Sequence, residues 1–147
     1  MKTKILLING PNLNMLGIRN PKVYGKTTLK DIEKELTAYA RTENCKLYCF
    51  QSNHEGSIID KIHAAYKKID GIIINPGAFT HYSYAIRDAL ESVSIPTIEI
   101  HLSDIHNREE FRKTSVISPV AIKQIAGHGK DGYSMALDSL LEHIKND

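Results

Sequence analysis

A chain of 147 residues with 41% hydrophobic and 24% charged residues has the balance of a folded soluble protein, which excludes a disordered, collagen-like or membrane-spanning polypeptide. A chain of this size buries roughly 68–70% of the surface it exposes when unfolded, so residues 1–147 are expected to form one domain around one core. Nineteen Lys and Arg against 17 Asp and Glu leave a net charge of +2, scattered rather than massed, so neither a nucleic acid nor a membrane is an expected partner.

Met1-Lys2-Thr3-Lys4 precedes the aliphatic run Ile5 to Ile8, far too short for a signal peptide, and a cytoplasmic location is expected. The run reads as a strand buried on both faces that turns abruptly polar at Asn9-Gly10-Pro11-Asn12. Beyond it, Arg19 and Tyr24 are bracketed by Pro21 and Gly25 in what reads as a lid. Thr28 followed by Asp31 resembles a capping box, and Leu29, Ile32, Leu36 and Ala40 continue at helical spacing to about Asn44. Leu47 to Gln51 reads as the second strand. Cys45 and Cys49 fall on one face of it with no second cysteine pair to complete a metal site, and both are expected to be reduced core residues.

The same order then repeats. Ser52-Asn53-His54-Glu55-Gly56 leads into a helix started by Ser57 and Asp60 and carrying Ile58, Ile59, Ile62 and Ile69. Gly71-Ile72-Ile73-Ile74 is a short β-branched strand ending in Asn75-Pro76-Gly77-Ala78-Phe79-Thr80-His81, before a helix with Ala85, Ile86, Ala89, Leu90 and Val93. Thr97 to His101 is the fourth strand, with a short helix expected through Arg108 to Arg112. A fifth strand around Ile122 to Ala126 gives way to Gly127-His128-Gly129, and Tyr133, Leu137, Leu140, Leu141 and Ile144 form the stripe of a final helix. Strands alternating with helices through right-handed crossovers predict an α/β fold. The expected architecture is a flavodoxin-like, doubly wound, five-stranded parallel sheet with helices on both faces.

In such sheets ligands bind outside the carboxyl ends of the strands. Those ends carry Asn9, Asn12, Asn53, His54, Asn75, His81, His101, Ser103 and His128. A receiver-type switch would need clustered acids after the first strand, where this chain has Asn9, and a flavin carrier a hydroxyl-rich phosphate loop; neither is present. Four of the seven His residues lie at strand ends, yet none forms an i, i+4 pair with an intervening Glu, which disfavours a metal hydrolase.

Acid-base chemistry on a small anion fits better. Glu99 and His101, two apart on a strand, point to one face, where the carboxylate can orient the imidazole and favour its protonated form. Spacing alone leaves a self-satisfied core pair equally open; the position at a strand's carboxyl end favours a general acid. Tyr24 is the candidate base. Ionising a phenol of pKa near ~10 close to neutrality requires about 3 to 4 kcal/mol of preferential stabilisation. A cation such as Arg19 at ~4 Å supplies about 4 kcal/mol at an effective dielectric near 20. On spacing alone the two are ordinary loop residues. His54 and His128 are expected to fix loops by hydrogen bonds, and His63, His106 and His143 to occupy surface or helix positions.

Resemblance adds to this reading. Gly10-Pro11-Asn12-Leu13-Asn14 with Leu16-Gly17, Arg19, Pro21 and Tyr24-Gly25 resembles the signature of the type II 3-dehydroquinate dehydratases. So do Gln51-Ser52-Asn53, Asn75-Pro76-Gly77, Thr80-His81, Arg87-Asp88, Glu99-Ile100-His101, Arg108 to Arg112 and Gly132-Tyr133, in order and across essentially the whole chain.

The resemblance implies a cofactor-free lyase of the shikimate pathway acting on 3-dehydroquinate. It implies Tyr24 as base with Arg19 beside it, Asn12 stabilising an enolate through a water, and His101, held by Glu99, protonating the departing hydroxyl. Leu102 and Ser103 would receive the substrate carboxylate, and Asn75, His81 and Arg112 its hydroxyls. Asp88 would reach in from a neighbouring subunit of a dodecamer built from trimers. Asp104 departs from the Asn more usual in the family and sets a negative charge beside the anion-binding turn. No lysine is placed for a Schiff base. The competing expectation is a flavodoxin-like module that binds a small anion without turning it over.

Overall fold

The structure is a computed structural model describing residues 1–18, 22 and 25–147. The chain order is β1 (Thr3–Asn9), α1 (Leu29–Thr42), β2 (Cys45–Gln51), α2 (Glu55–Ala64), β3 (Gly71–Asn75), α3 (Tyr84–Val93), β4 (Thr97–His101), β5 (Lys123–Ala126) and α4 (Asp131–Lys145). All strand pairs are parallel, in the order β2-β1-β3-β4-β5. This is the flavodoxin-like order expected from the alternating pattern. None of the described helices is long and apolar enough to cross a membrane.

Each face of the sheet is covered by two helices, because the inner strands are apolar on both sides. Ile5, Leu7, Ile73, Ile98 and Ile100 pack under α1 and α4, against Ile32, Leu36, Tyr133, Leu137 and Leu140. Leu6, Ile8, Ile72 and Ile74 pack under α2 and α3, against Ile58, Ile62, Ile86 and Leu90. The capping box opens α1: the Thr28 side chain accepts from the Asp31 amide, and the Asp31 carboxylate accepts from the Thr28 amide. Asn44, at φ 54, closes it in the left-handed conformation.

Several expectations are corrected. Residues Arg108 to Arg112 form no α-helix; two short 3₁₀ turns, Ile105–Asn107 and Glu110–Arg112, stand there instead. The segment has no apolar stripe to bury, since Phe111 is 61% exposed. The second helix begins at Glu55 and ends at Ala64, so Ile69 packs from the following loop. Ala85 faces outward on α3. Both thiols are free, but only Cys45 is buried, and Cys49 is exposed. It sits on the edge strand, whose outer flank has no neighbouring strand among the described residues.

Candidate active site at the carboxyl edge of the sheet

The loops after β1 and β3 are closed against each other by backbone contact. Gly10 N donates to Asn75 O at 2.7 Å, and a Cβ on Gly10 would stand 2.5 Å from Pro76 O. Gly77, at φ +60, likewise leaves no room for a side chain, with Pro11 O 3.0 Å from its hypothetical Cβ. From β2, Gln51 Nε2 donates to Gly10 O at 3.1 Å and to Asn53 Oδ1 at 3.1 Å, while Asn53 Oδ1 accepts from Asn12 N at 3.0 Å. These bonds hold Asn12 in the left-handed conformation, φ 71, with its side chain exposed at the rim.

The buried chemistry lies on β4. Ile98 and Ile100 take the α4 side, so Thr97, Glu99 and His101 point to the opposite face, which β1 and β3 line with aliphatic side chains. Glu99 is fully buried and His101 is 6% exposed. A carboxylate so placed costs several kcal/mol unless its oxygens are satisfied. Glu99 Oε2 accepts from His101 Nε2 and from Thr80 Oγ1, each at 2.5 Å, and Ser115 Oγ lies 2.9 and 2.8 Å from the two carboxylate oxygens. Burial by itself would raise the Glu99 pKa; the hydrogen bond and charge of His101, with the two hydroxyl donors, outweigh it and hold the carboxyl below its ordinary range. With Nε2 engaged by Glu99, Nδ1 is the ring nitrogen left for a ligand.

A carboxyl whose folded pKa is depressed stabilises the fold above its ordinary value of 4.5 and loses that contribution as the pH falls through its folded pKa. Glu99→Gln removes the acid-sensitive contribution. In urea unfolding across pH, the gap between wild type and variant is therefore expected to be largest near neutrality and to narrow below about 4.5; a gap that widens on acidification would contradict the assignment.

The other site residues fall into distinct groups. His81 Nδ1 donates to Thr114 O at 2.8 Å, leaving Nε2 available, and its ring packs edge-on to Phe111 at 6.1 Å. Arg112 lies over the same Phe111 ring at 4.8 Å, and its Nε donates to Glu109 at 2.9 Å. Ser103 is half-buried beside His101, and among the described residues its amide donates to no backbone acceptor. Asp104 accepts from the His106 amide at 3.0 Å and from Asn107 Nδ2 at 2.9 Å. Its negative charge thus serves to close the following turn. Leu102 O accepts from Gly129 N at 3.0 Å, which ties this turn to the loop after β5.

Asn75 is buried and engaged from below: its Oδ1 accepts from Gly77 N at 3.1 Å, and its Nδ2 donates to Tyr133 Oη at 3.2 Å. One Nδ2 hydrogen remains for a ligand. Asp88 stands apart, exposed on the outer side of α3 and linked to this cluster by no bond among the described residues. Arg19 and Tyr24 lie outside the described residues. His54 and His128 are both exposed, and the loop-fixing side-chain bonds expected of them are not found among the described residues. No group of three or more His, Cys, Asp or Glu among the described residues could hold a metal ion.

Three participants escaped the sequence reading. Thr80 and Ser115 satisfy Glu99, and the signal was available: a carboxylate in an otherwise aliphatic strand must find donors. Tyr133, read as a core stripe residue, also donates to Asn9 Oδ1 at 2.6 Å, so it bridges the ends of β1 and β3. Burial pushes its phenol well above the ordinary range and keeps it a neutral donor. Asn9 Nδ2, beneath the same edge, is buried without a partner among the described residues.

The family model for class II dehydroquinases matches residues 3–141. A 3-dehydroquinate dehydratase of Bacillus cereus strain AH187 is 57% identical over 142 residues, 97% of each chain. One from Anoxybacillus flavithermus is 54% identical over 142 residues, covering 97% of this chain and 96% of its own. The crystal structure of type II dehydroquinase from Butyrivibrio crossotus superposes with a TM-score of 0.92 at 55% identity, covering 95% of this chain and 98% of that one. A 3-dehydroquinate dehydratase-like protein from Bifidobacterium longum gives a TM-score of 0.72 at 30% identity, covering 97% and 98%. Matched from end to end in sequence, sheet order and family signature, the chain belongs to the class II dehydroquinase family.

Proposed function

We propose that this protein is a cofactor-free hydro-lyase that converts 3-dehydroquinate to 3-dehydroshikimate in the shikimate pathway, upstream of chorismate and the aromatic amino acids. The observation that carries the reading is the buried Glu99 and His101 pair at the carboxyl end of β4, with His101 Nε2 2.5 Å from the carboxylate. In the proposed sequence Tyr24, kept anionic by Arg19, removes a proton from the carbon beside the ketone. The resulting enolate is stabilised through a water held by Asn12. His101 Nδ1 then gives its proton to the departing hydroxyl, the C–O electrons leave with oxygen, and the enolate electrons form the C=C bond of the enone. One water is released, and a proton passed from Tyr24 back to His101 resets the site.

The backbone of Leu102 and the amide and hydroxyl of Ser103 would receive the carboxylate, while Asn75, His81 and Arg112 would bind the hydroxyls. Asp88, exposed and away from its own chain's site, fits a role supplied by a neighbouring subunit, within a dodecamer built from trimers. Residues 1–147 would act as one cytoplasmic catalytic domain.

Growth of enone absorbance on addition of 3-dehydroquinate tests the reaction. Binding without product at any pH would leave an anion-binding module instead, and chelator-sensitive activity restored by a divalent ion would bring back metal chemistry. Tyr24→Phe is expected to lower kcat by at least ~100-fold with little change in KM; an unchanged kcat would clear Tyr24 of the base role.

A further inference from the structure

We propose that Ser115 and Thr80 are positioning residues for the proton donor, holding Glu99 as the carboxylate on which a charged, oriented His101 depends. The proposal rests on the reading of His101 as the acid. Ser115 and Thr80 are both placed to donate to Glu99. Ser115 Oγ accepts from the amides of Ile117 at 3.1 Å and Ser118 at 2.9 Å, so its lone pairs are engaged and its hydrogen is left to donate, with Glu99 Oε1 and Oε2 2.9 and 2.8 Å away. Thr80 Oγ1 places its hydrogen on Glu99 Oε2 at 2.5 Å and stands 2.9 Å from Ser115 Oγ.

The segment carrying Ser115 is itself anchored to the segment carrying Thr80 and His81. Val116 N donates to Thr80 O at 2.7 Å, and Thr114 O accepts from His81 Nδ1 at 2.8 Å. Adjacent residues therefore set the orientation of both site imidazoles, one through a carbonyl and the other through a carboxylate.

Around Glu99 the in-register neighbours are Ile74 on β3 and Gln124 on β5, neither titratable, with Thr80 and Ser115 completing the shell. Among the described residues His101 is the titratable group bonded to it. Removing a hydroxyl donor makes the Glu99 carboxylate easier to protonate, so as the pH falls it is neutralised, and its hold on His101 lost, at a higher pH than before.

The test uses Ser115→Ala and, because that change also removes the cap of the Ile117 and Ser118 amides, Thr80→Val, which leaves that turn intact. The Glu99 side-chain carboxyl is followed by ¹³C NMR while kcat is measured against pH. In both variants the Glu99 titration midpoint and the low-pH limb of kcat are expected to rise together by about one pH unit, the equivalent of a tenfold change, and Ser115→Thr should restore both. A Glu99 midpoint that stays put in both variants overturns the proposal, as does a kcat lowered equally at every pH with its limb unmoved. Full turnover in His101→Ala would defeat the acid assignment instead, and the Glu99 midpoint, read without turnover, would still decide whether the hydroxyls hold the carboxylate.

Discussion

His101→Ala is expected to lower kcat by about a thousandfold, within the ~10²–10⁴ range of a positioned general acid, while KM changes by a small factor. The reason is in the position of the ring. Hydroxide is a poor leaving group, and a proton must arrive as the C–O bond breaks. His101 is the imidazole in direct contact with a buried carboxylate, and among the described residues its Nδ1 has no partner. His81, whose Nδ1 is bonded to Thr114 O, has no carboxylate partner among the described residues and is not expected to substitute. The variant leaves Glu99 with Thr80 and Ser115 but without its counter-charge, so some loss of stability accompanies the loss of turnover. Steady-state kinetics on folded protein separate the two effects, and a kcat within a few fold of wild type would remove His101 from the chemistry.

Gly10→Ala should destabilise the protein by about 3 kcal/mol, the upper end for overpacking, because the added Cβ would meet a backbone oxygen rather than a yielding side chain. Pro76 O would stand 2.5 Å away and Asn75 O 3.3 Å. The loops must separate, which strains the 2.7 Å Gly10 to Asn75 backbone bond and displaces Asn12 two residues on. For a chain of this length the cost corresponds to a fall of about 6–12 °C in Tm. Gly56 in α2, with nothing within 4 Å of its hypothetical Cβ, is the matched control, expected to be neutral or slightly stabilising on change to Ala. Equal melting temperatures for the two variants would refute the close-contact argument.

How much of this was legible beforehand depends on the range of the interaction. The α1 capping box was read correctly because Thr28 and Asp31 are local partners. The strand ends at Asn9, Asn75 and His101 were read because strands rich in aliphatic residues turn polar there. The segment Arg108 to Arg112 was misread, since its charges and Phe111 satisfy helical propensity while the absence of a core to pack against is not a local property. Cys49 was misplaced for a related reason: period-2 alternation gives a face but not how deeply each position on it is covered, and on the same edge strand Cys45 is buried while Cys49 is exposed.

From the residues alone came the alternation of strand and helix, the parallel sheet, the polar row at its carboxyl edge and, by resemblance, the family. All are written in short-range periodicity or in contiguous signatures. Tertiary structure alone decided what satisfies Glu99, which nitrogen of His81 and of His101 is hydrogen-bonded, and that Tyr133 joins Asn9 to Asn75 across 124 and 58 positions of chain. Such hydrogen bonds depend on distances between elements far apart in sequence, and those distances exist only once both hydrophobic layers have closed on the sheet.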